Sequence, residues 1–205
     1  MFEVLNYFRR YLPMIKMLRT RGMTPNHWMD ISRQLDIKLD RQNVTLFKCI
    51  CKGLHEEDKL RVIKAISDQA TREYAVRCSL DMLDKDVKNL EFYFENAPDG
   101  MTPITKRTHQ VIRKFEEYSV RCNVLKNNPY VKICLNDLLD LERTVKTTSE
   151  LVAEWILFQR NWLYLNGIFC RQEMIKQPEL STAMKYFQQI DTLFRSMIKS
   201  ISNTP

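Results

Sequence analysis

Apolar residues in this sequence recur at alternating steps of four and three positions, the spacing of one face of an α-helix. The pattern is clearest in two segments near the C-terminal end. The first segment carries Leu151, Trp155, Phe158, Trp162, Leu165 and Phe169, and the second carries Ala183, Phe187, Ile190, Phe194, Met197 and Ile201. Such unbroken stripes are typical of antiparallel helices packed at shallow angles. The sequence therefore predicts an all-α fold of elongated antiparallel helical bundles.

Local signals predict where the other helices begin and end. Thr24 and Pro25 combine an N-cap with a proline at the first helical position, and Gly53 suits the position just after a helix. Asn43 is the expected cap of the helix that Gly53 ends. The predicted helices before the two C-terminal ones are 3–11, 13–21, 25–35 and 44–52, a long helix that follows the acidic residues 56–58 and ends near Val87, a helix that carries Val111 to Leu125 and stops at 127–129, and 130–147. The last helix is expected to open at Pro178.

One short β-hairpin near residues 90–105 is the only strand candidate. The aromatic cluster from Leu90 to Phe94 and the segment from Met101 to Thr105 flank a turn sequence, Ala97-Pro98-Asp99-Gly100. We expect two parts, residues 1–128, which include a basic section 1–52, and residues 129–205. The Thr147–Ser149 segment either breaks or continues its helix, and it and Asn127–Pro129 are the candidate hinges.

Residues that could support catalysis do not cluster. The four glycines stand apart, so the sequence contains no phosphate-binding loop, and the three histidines lie on separate predicted elements. Asp81, Asp84 and Asp86 alternate with Lys85 and Lys88, which is typical of a solvated helix face rather than a cation site. No cysteine has a base beside it in the sequence. We therefore predict a non-enzymatic chain without cofactor or metal.

Cysteine usage and hydropathy predict a cytosolic chain. The cysteines are Cys49, Cys51, Cys78, Cys122, Cys134 and Cys170. They lie mostly on apolar helical faces of a chain with enough apolar residues for a core, so we expect buried free thiols rather than a disulfide framework. The longest uncharged runs fall short of the roughly 20 residues that a membrane span needs. No signal-peptide pattern opens the chain.

Positive charge is concentrated near the N-terminus. Residues 1–52 hold ten Lys or Arg against four Asp or Glu, whereas residues 53–205 hold 22 against 21. The densest group is Arg9, Arg10, Lys16, Arg19 and Arg21, hereafter the basic group. It could face an acidic protein surface or simply solvent. Nucleic acid is disfavoured because no base-stacking aromatic pattern accompanies the charge.

Several distinctive residues follow one another in a fixed order. They are Leu12-Pro13, Leu18, Gly22-Met23 and His27-Trp28, then Asn43, Thr45-Leu46, Cys49 and Gly53-Leu54, then Ala70, Glu73-Tyr74 and Leu80, and finally Glu154-Trp155, Gln159-Arg160, Trp162-Leu163-Tyr164-Leu165, Ile168-Phe169, Pro178 and Met197. In this order the series resembles the linker region of dynein heavy chains, which precedes the AAA+ motor ring. The middle section is more similar to axonemal than to cytoplasmic dyneins. Departures from the family pattern are Asn26, Val87, Asn166-Gly167 and Gln177.

The resemblance implies a non-catalytic mechanical linker. In this family the linker lies across the AAA+ ring of the same chain and bends as the ring hydrolyses ATP, which moves the motor along a microtubule. It also implies a location in the cytoplasm and cytoskeleton, with the axoneme favoured. The residues it marks as a structural signature are Pro13, His27, Trp28, Glu73, Trp155, Gln159, Trp162, Leu165 and Phe169. Independently of the resemblance, the spacing of Trp155 and Trp162 predicts that both are core residues. The alternative function is a helical scaffold or adaptor that binds partner helices.

Overall fold

The computed structural model describes residues 8–39, 41–42, 44–169 and 181–202, and the chain divides into two compact units. Unit 1 comprises residues 1–82 and 124–138, and unit 2 comprises residues 83–123 and 139–205. The units alternate along the chain, and the expected division of the chain between residues 128 and 129 stays a prediction.

The described residues are mostly helical, with one antiparallel hairpin, which confirms the predicted fold class. The elements are α1 (Leu12–Leu18), α2 (Pro25–Leu35), α3 (Leu46–Cys51), α4 (Glu57–Lys88), β1 (Tyr93–Asn96), β2 (Pro103–Lys106), α5 (Thr108–Lys126), a 3₁₀ turn (Val131–Cys134), α6 (Leu135–Phe169) and α7 (Ser181–Ser202). No described helix is both long enough and apolar enough to cross a lipid bilayer.

Three predicted features lie outside the described residues: most of the first helix, the cap Asn43 and the start of the last helix at Pro178. Helix α3 is capped by Thr45, whose hydroxyl accepts the Lys48 N–H at 3.3 Å. Gly53 follows α3 with a φ of +65°, in the left-handed region where glycine is favoured, as predicted.

The core of unit 1 brings together the first three helices and the first half of α4. Its fully buried members include Met14 from α1, Ile31 from α2, Leu54 just after α3 and Ile63 from α4. Gly22 lies directly against α4, because a Cβ atom there would clash with the backbone oxygen of Ala70 and lie 2.7 Å from the Tyr74 Cβ. The chain therefore requires glycine at this position.

Unit 2 contains the hairpin and a core of aromatic residues. Strands β1 and β2 pair with Phe94 opposite Thr105, and the turn closes with an Ala97 N–H donated to the Thr102 carbonyl at 2.7 Å. The core cluster consists of Ala97, Ile104, Trp162, Phe187, Phe194 and Ile198. The hairpin is thus part of the core of unit 2 and not a surface appendage.

The predicted apolar stripe of α6 is only partly buried. Trp162 is 2% exposed and confirms the core prediction, whereas Trp155 is half-buried and Leu151 is 68% exposed. Val152, Gln159 and Asn166 occupy the buried face instead. Hydrophobic spacing misplaced this face because it cannot anticipate that a glutamine finds buried hydrogen-bond partners.

Two further predictions need correction. Helix α6 runs through residues 147–149 without a break, so this segment is not a hinge; Val145 and Val152 are buried on either side of it and hold the helix in the core. Asn127–Pro129 is non-helical as predicted, and its role as a hinge stays a prediction.

The prediction of buried cysteines holds only in part. None of the described cysteines is in a disulfide. Three of them are buried, Cys78 is partly buried and Cys51 is exposed because α3 turns it towards solvent.

Candidate functional site

His27 connects α2 to α4 inside unit 1. The ring is 4% exposed, and its Nδ1 accepts the backbone N–H of Thr24 at 3.1 Å. Because Nδ1 accepts, the proton of a neutral ring lies on Nε2, which is 3.1 Å from a carboxylate oxygen of Glu73. Two residues of the resemblance signature, distant in sequence, therefore form one buried contact.

Trp28, the next residue, is 5% exposed, and its indole N–H has no acceptor within the described part of the chain. A buried donor without an acceptor costs about 1–3 kcal/mol relative to a satisfied one. Trp28 is also one of the residues that line a cleft in unit 1.

Gln159 connects α6 to the hairpin inside unit 2. Its side-chain oxygen accepts both the backbone N–H and the hydroxyl of Thr105 at 2.8 Å, and its side-chain nitrogen donates to the Thr105 carbonyl at 3.0 Å. Both residues are buried, 54 positions apart in the chain. The amide is fully used, which explains how a glutamine occupies the buried face of α6.

Trp162 and Arg195 form a second polar cluster in unit 2. The Trp162 indole N–H donates to the Asp191 carboxylate at 3.0 Å, and the Arg195 guanidinium lies over the indole ring, 5.4 Å from its centroid. The same guanidinium donates to Asp191 at 2.8 Å and to Asp99 at 2.7 Å, and it also contacts the Thr102 hydroxyl.

Asp99 is held in its charged form by this cluster. Burial raises the pKa of the carboxyl, but hydrogen bonds from Thr102, Met101 and Arg195 outweigh it and leave the pKa well below its usual range. For Arg195, burial lowers the pKa, and the hydrogen bonds to Asp99 and Asp191 outweigh that effect and raise it. Each charge of the cluster is thus compensated by a partner.

The remaining signature residues have less central positions. Trp155 stacks on Phe194 with ring centroids 5.5 Å apart, and Phe169 contacts Phe187 at 5.1 Å. Leu165 is 37% exposed, and Pro13 is exposed in the first turn of α1.

The structure separates the basic group into two sets. Arg9, Arg10 and Lys16 are exposed, and Arg10 lies over the Tyr11 ring with 5.6 Å between the guanidinium carbon and the ring centroid. Arg19 and Arg21 line a cleft of about 570 Å³ in unit 1, together with Arg41. Sequence reasoning missed Arg41, because it is isolated in sequence and only the tertiary fold brings it to this cleft.

The cleft, hereafter the arginine cleft, also has an aromatic and apolar lining. Its walls include Met23, Trp28 and Tyr74. A hydrogen bond with Cys78 is the largest cause that raises the pKa of the Tyr74 phenol, and the positive charge of Arg21 lowers it. The cleft therefore places positive charge next to aromatic rings, an arrangement suited to negatively charged ligands and not to a metal ion. Within the described residues, no group of three or more His, Cys, Asp or Glu side chains could hold a metal.

Comparison with known proteins identifies the family. A family model described as dynein heavy chain, N-terminal region 2, matches residues 2–205. The chain belongs to this family and is a dynein heavy chain segment, as the resemblance predicted.

Individual relatives are axonemal, flagellar and ciliary dyneins. Over 94% of the present chain, the sequence is 27% identical to dynein axonemal heavy chain 1 of Rattus norvegicus. Over 98% of the present chain, it is 23% identical to the Dynein-1-beta heavy chain, flagellar inner arm I1 complex, of Chlamydomonas reinhardtii. It is 25% identical over 92% to the ciliary dynein beta chain of Tripneustes gratilla. The chain spans only 4% of the length of each of these relatives.

Proposed function

We propose that this chain is a mechanical linker segment of a dynein heavy chain. In this role it transmits ATP-driven changes of the AAA+ ring of the same chain into movement along microtubules. The axonemal, flagellar and ciliary relatives support a location in the axoneme of a cilium or flagellum. The segment itself binds no nucleotide, and the ATPase belongs to the ring.

The observation that carries this proposal is the presence of two uninterrupted helices, α4 with 32 residues and α6 with 35 residues. At a rise of about 1.5 Å per residue they are roughly 48 and 52 Å long. A polar side-chain contact anchors each helix: His27 contacts Glu73 on α4 within unit 1, and Thr105 bonds to Gln159 on α6 within unit 2. A transmitting element needs such stiffness, because a flexible chain would absorb the displacement.

The test weakens the stiffness of α6 without removing a contact. Lys146, Thr147 and Glu150 are exposed on α6, and replacing all three with glycine should loosen the helix by up to about 1 kcal/mol per site. In the heavy chain that contains this segment, we expect microtubule-stimulated ATPase to persist while gliding velocity falls. The matched control replaces the same three residues with alanine and should keep the velocity. Equal velocities in both variants would argue against the lever role.

Nucleotide binding offers a second check on the proposal. The isolated chain should show no saturable binding of labelled ATP at micromolar concentration and no ATP hydrolysis above buffer. Saturable binding would contradict the assignment of the ATPase to the ring.

A helical adaptor is the second candidate, and one observation favours it. One face of α7 exposes a continuous apolar row, Tyr186, Ile190, Leu193, Met197 and Ile201. Such a row is typical of a surface that receives a partner helix. The double variant Tyr186→Glu, Leu193→Glu separates the two functions. If this variant abolishes the coupling of ATP hydrolysis to gliding while the glycine variant of α6 does not, the adaptor function is favoured.

A further inference from the structure

The arginine cleft concentrates positive charge that no carboxylate of the described residues neutralises. Its three arginines are all exposed, and within the described residues no carboxylate pairs with Arg19, Arg21 or Arg41. Asp81 also acts on Tyr74 from α4, but it is engaged by Arg77 at 3.1 Å. Some exposed arginines elsewhere in the chain do pair with a carboxylate, as Arg61 does with Glu57 at 2.6 Å.

A second, independent feature of the cleft also indicates a missing anion. Trp28 is 5% exposed, lines the cleft and has a buried indole N–H without an acceptor in the described part of the chain. Native proteins satisfy most buried donors, so an unpaired donor on a residue that lines a ligand-sized cleft indicates an acceptor that the described residues do not supply. Trp162, whose N–H is bonded to Asp191, is the internal comparison.

We propose that the arginine cleft binds an acidic protein segment, with an Asp or Glu carboxylate against the arginines and an adjacent apolar side chain against Met23 and Trp28. A guanidinium binds a carboxylate through two parallel hydrogen bonds, which suits a site built from three arginines. A volume of about 570 Å³ exceeds what a single small anion fills, and the apolar part of the lining is left over if only an anion binds.

The inference rests on the proposed function only for the origin of the segment, which we place in the same heavy chain or its assembly. It differs from the sequence expectation in two ways. It assigns a role to Arg41 and Trp28, which the charge pattern did not mark, and it leaves Arg9, Arg10 and Lys16 outside the site.

The test uses the tryptophan indole signals of the ¹⁵N-labelled 205-residue chain. The three tryptophans, Trp28, Trp155 and Trp162, give separate indole N–H signals, and a Trp28→Phe variant assigns the first of them. The probe is an acetylated, amidated peptide with four glutamates around one leucine, titrated at low salt. We expect a saturable shift of the Trp28 signal, with the Trp155 and Trp162 signals unmoved.

A matched pair of variants separates the cleft from general charge. Replacing Arg19, Arg21 and Arg41 with glutamine should weaken peptide binding by about tenfold or more. The control replaces Arg33, Arg61 and Arg143 with glutamine, which removes the same charge from exposed positions outside the cleft. The control should bind like the wild type, and circular dichroism checks that both variants are folded.

Four outcomes would overturn the inference: no saturable shift with the peptide, a shift that spares Trp28, equal weakening in the two triple variants, or an equal effect of inorganic phosphate or polyuridylate RNA at the same concentration. None of these outcomes bears on gliding velocity in the glycine variant of α6. The cleft and the lever role can therefore fail separately.

Discussion

Trp28 in unit 1 and Trp162 in unit 2 are both buried, yet their surroundings differ. The Trp162 indole donates to Asp191, and the arginine above it is bonded to two carboxylates. The Trp28 indole has no acceptor in the described part of the chain, and the arginines of its cleft have no carboxylate there. The comparison shows that a buried tryptophan can have its indole N–H satisfied within its own unit or left without an acceptor among the described residues.

Polar contacts link different elements of unit 2 to one another. Gln159 is buried and Arg195 is partly buried, and Gln159, Arg195 and Asp99 each have a hydrogen-bond partner from a different element. Removing one member takes a hydrogen-bond partner away from its neighbours, so these residues should be sensitive to substitution. In unit 1 the corresponding positive charges are exposed, so their loss should affect binding more than folding.

The largest effect expected is that of emptying the Trp162 site. Trp162→Ala should lower the free energy of unfolding by about 3–5 kcal/mol, because the ring is fully buried and contacts Phe194 at 4.5 Å. Urea denaturation followed by circular dichroism measures it. Trp155→Ala, at a half-buried position, should cost less. Equal stability of the two variants would contradict the finding that Trp162 is more deeply buried than Trp155.

A smaller effect is expected from breaking the contact between α6 and the hairpin. Gln159→Leu keeps the volume but leaves the buried backbone groups of Thr105 without partners, and it should cost about 2–3 kcal/mol. Gln189→Leu, at an exposed position of α7, is the matched control and should change stability by less than about 0.5 kcal/mol. Wild-type stability in Gln159→Leu would mean that the hairpin is held mainly by its apolar contacts.

Replacing each buried tryptophan with phenylalanine sharpens the comparison of the two units. Both substitutions remove part of a ring, but only Trp162→Phe also breaks a hydrogen bond to a charged group. We expect Trp162→Phe to be less stable than Trp28→Phe by about 1–2 kcal/mol in urea denaturation. Equal losses would indicate that the Trp28 N–H is satisfied in solution, and the proposed anion site would lose one of its two supports.

The smallest expected effect is on acid stability. Asp99 has a folded-state pKa below its unfolded value of about 3.9, so its stabilisation is present above that value and is lost as the pH falls towards the folded-state pKa. Urea midpoints measured between about pH 5 and pH 2.5 should therefore fall more steeply for the wild type than for Asp99→Asn. The control Asp68→Asn, at an exposed position of α4, should follow the wild-type slope. Parallel curves for wild type and Asp99→Asn would remove Asp99 from the acid response.

Much of the fold could be predicted from local signals. The alternating spacing of apolar residues predicted the helices, and Thr24-Pro25, Gly53 and the Ala97–Gly100 turn marked ends that the structure confirms. These features depend on a few neighbouring residues, so the sequence contains what is needed to read them. The ordered series of residues also led to the family that the family model identifies.

The residues of the candidate site were harder to predict from local sequence signals. Spacing placed Leu151 in the core of α6, where the structure exposes it and buries Gln159. It also offered Thr147–Ser149 as a hinge, whereas α6 continues because Val145 and Val152 pack on either side. Charge counting found Arg19 and Arg21 but not Arg41, since proximity in the fold is invisible to a count along the chain.

Most helix positions, the turn chemistry and the family membership were therefore decided by the order of residues alone, because periodicity and capping act over a few positions. Which face of α6 is buried, which donors are satisfied and which arginines share a cleft were decided by the tertiary structure. Burial of a polar group is favourable only when a partner arrives from elsewhere in the chain. Thr105 supplies that partner to Gln159, and the described residues supply none to Trp28.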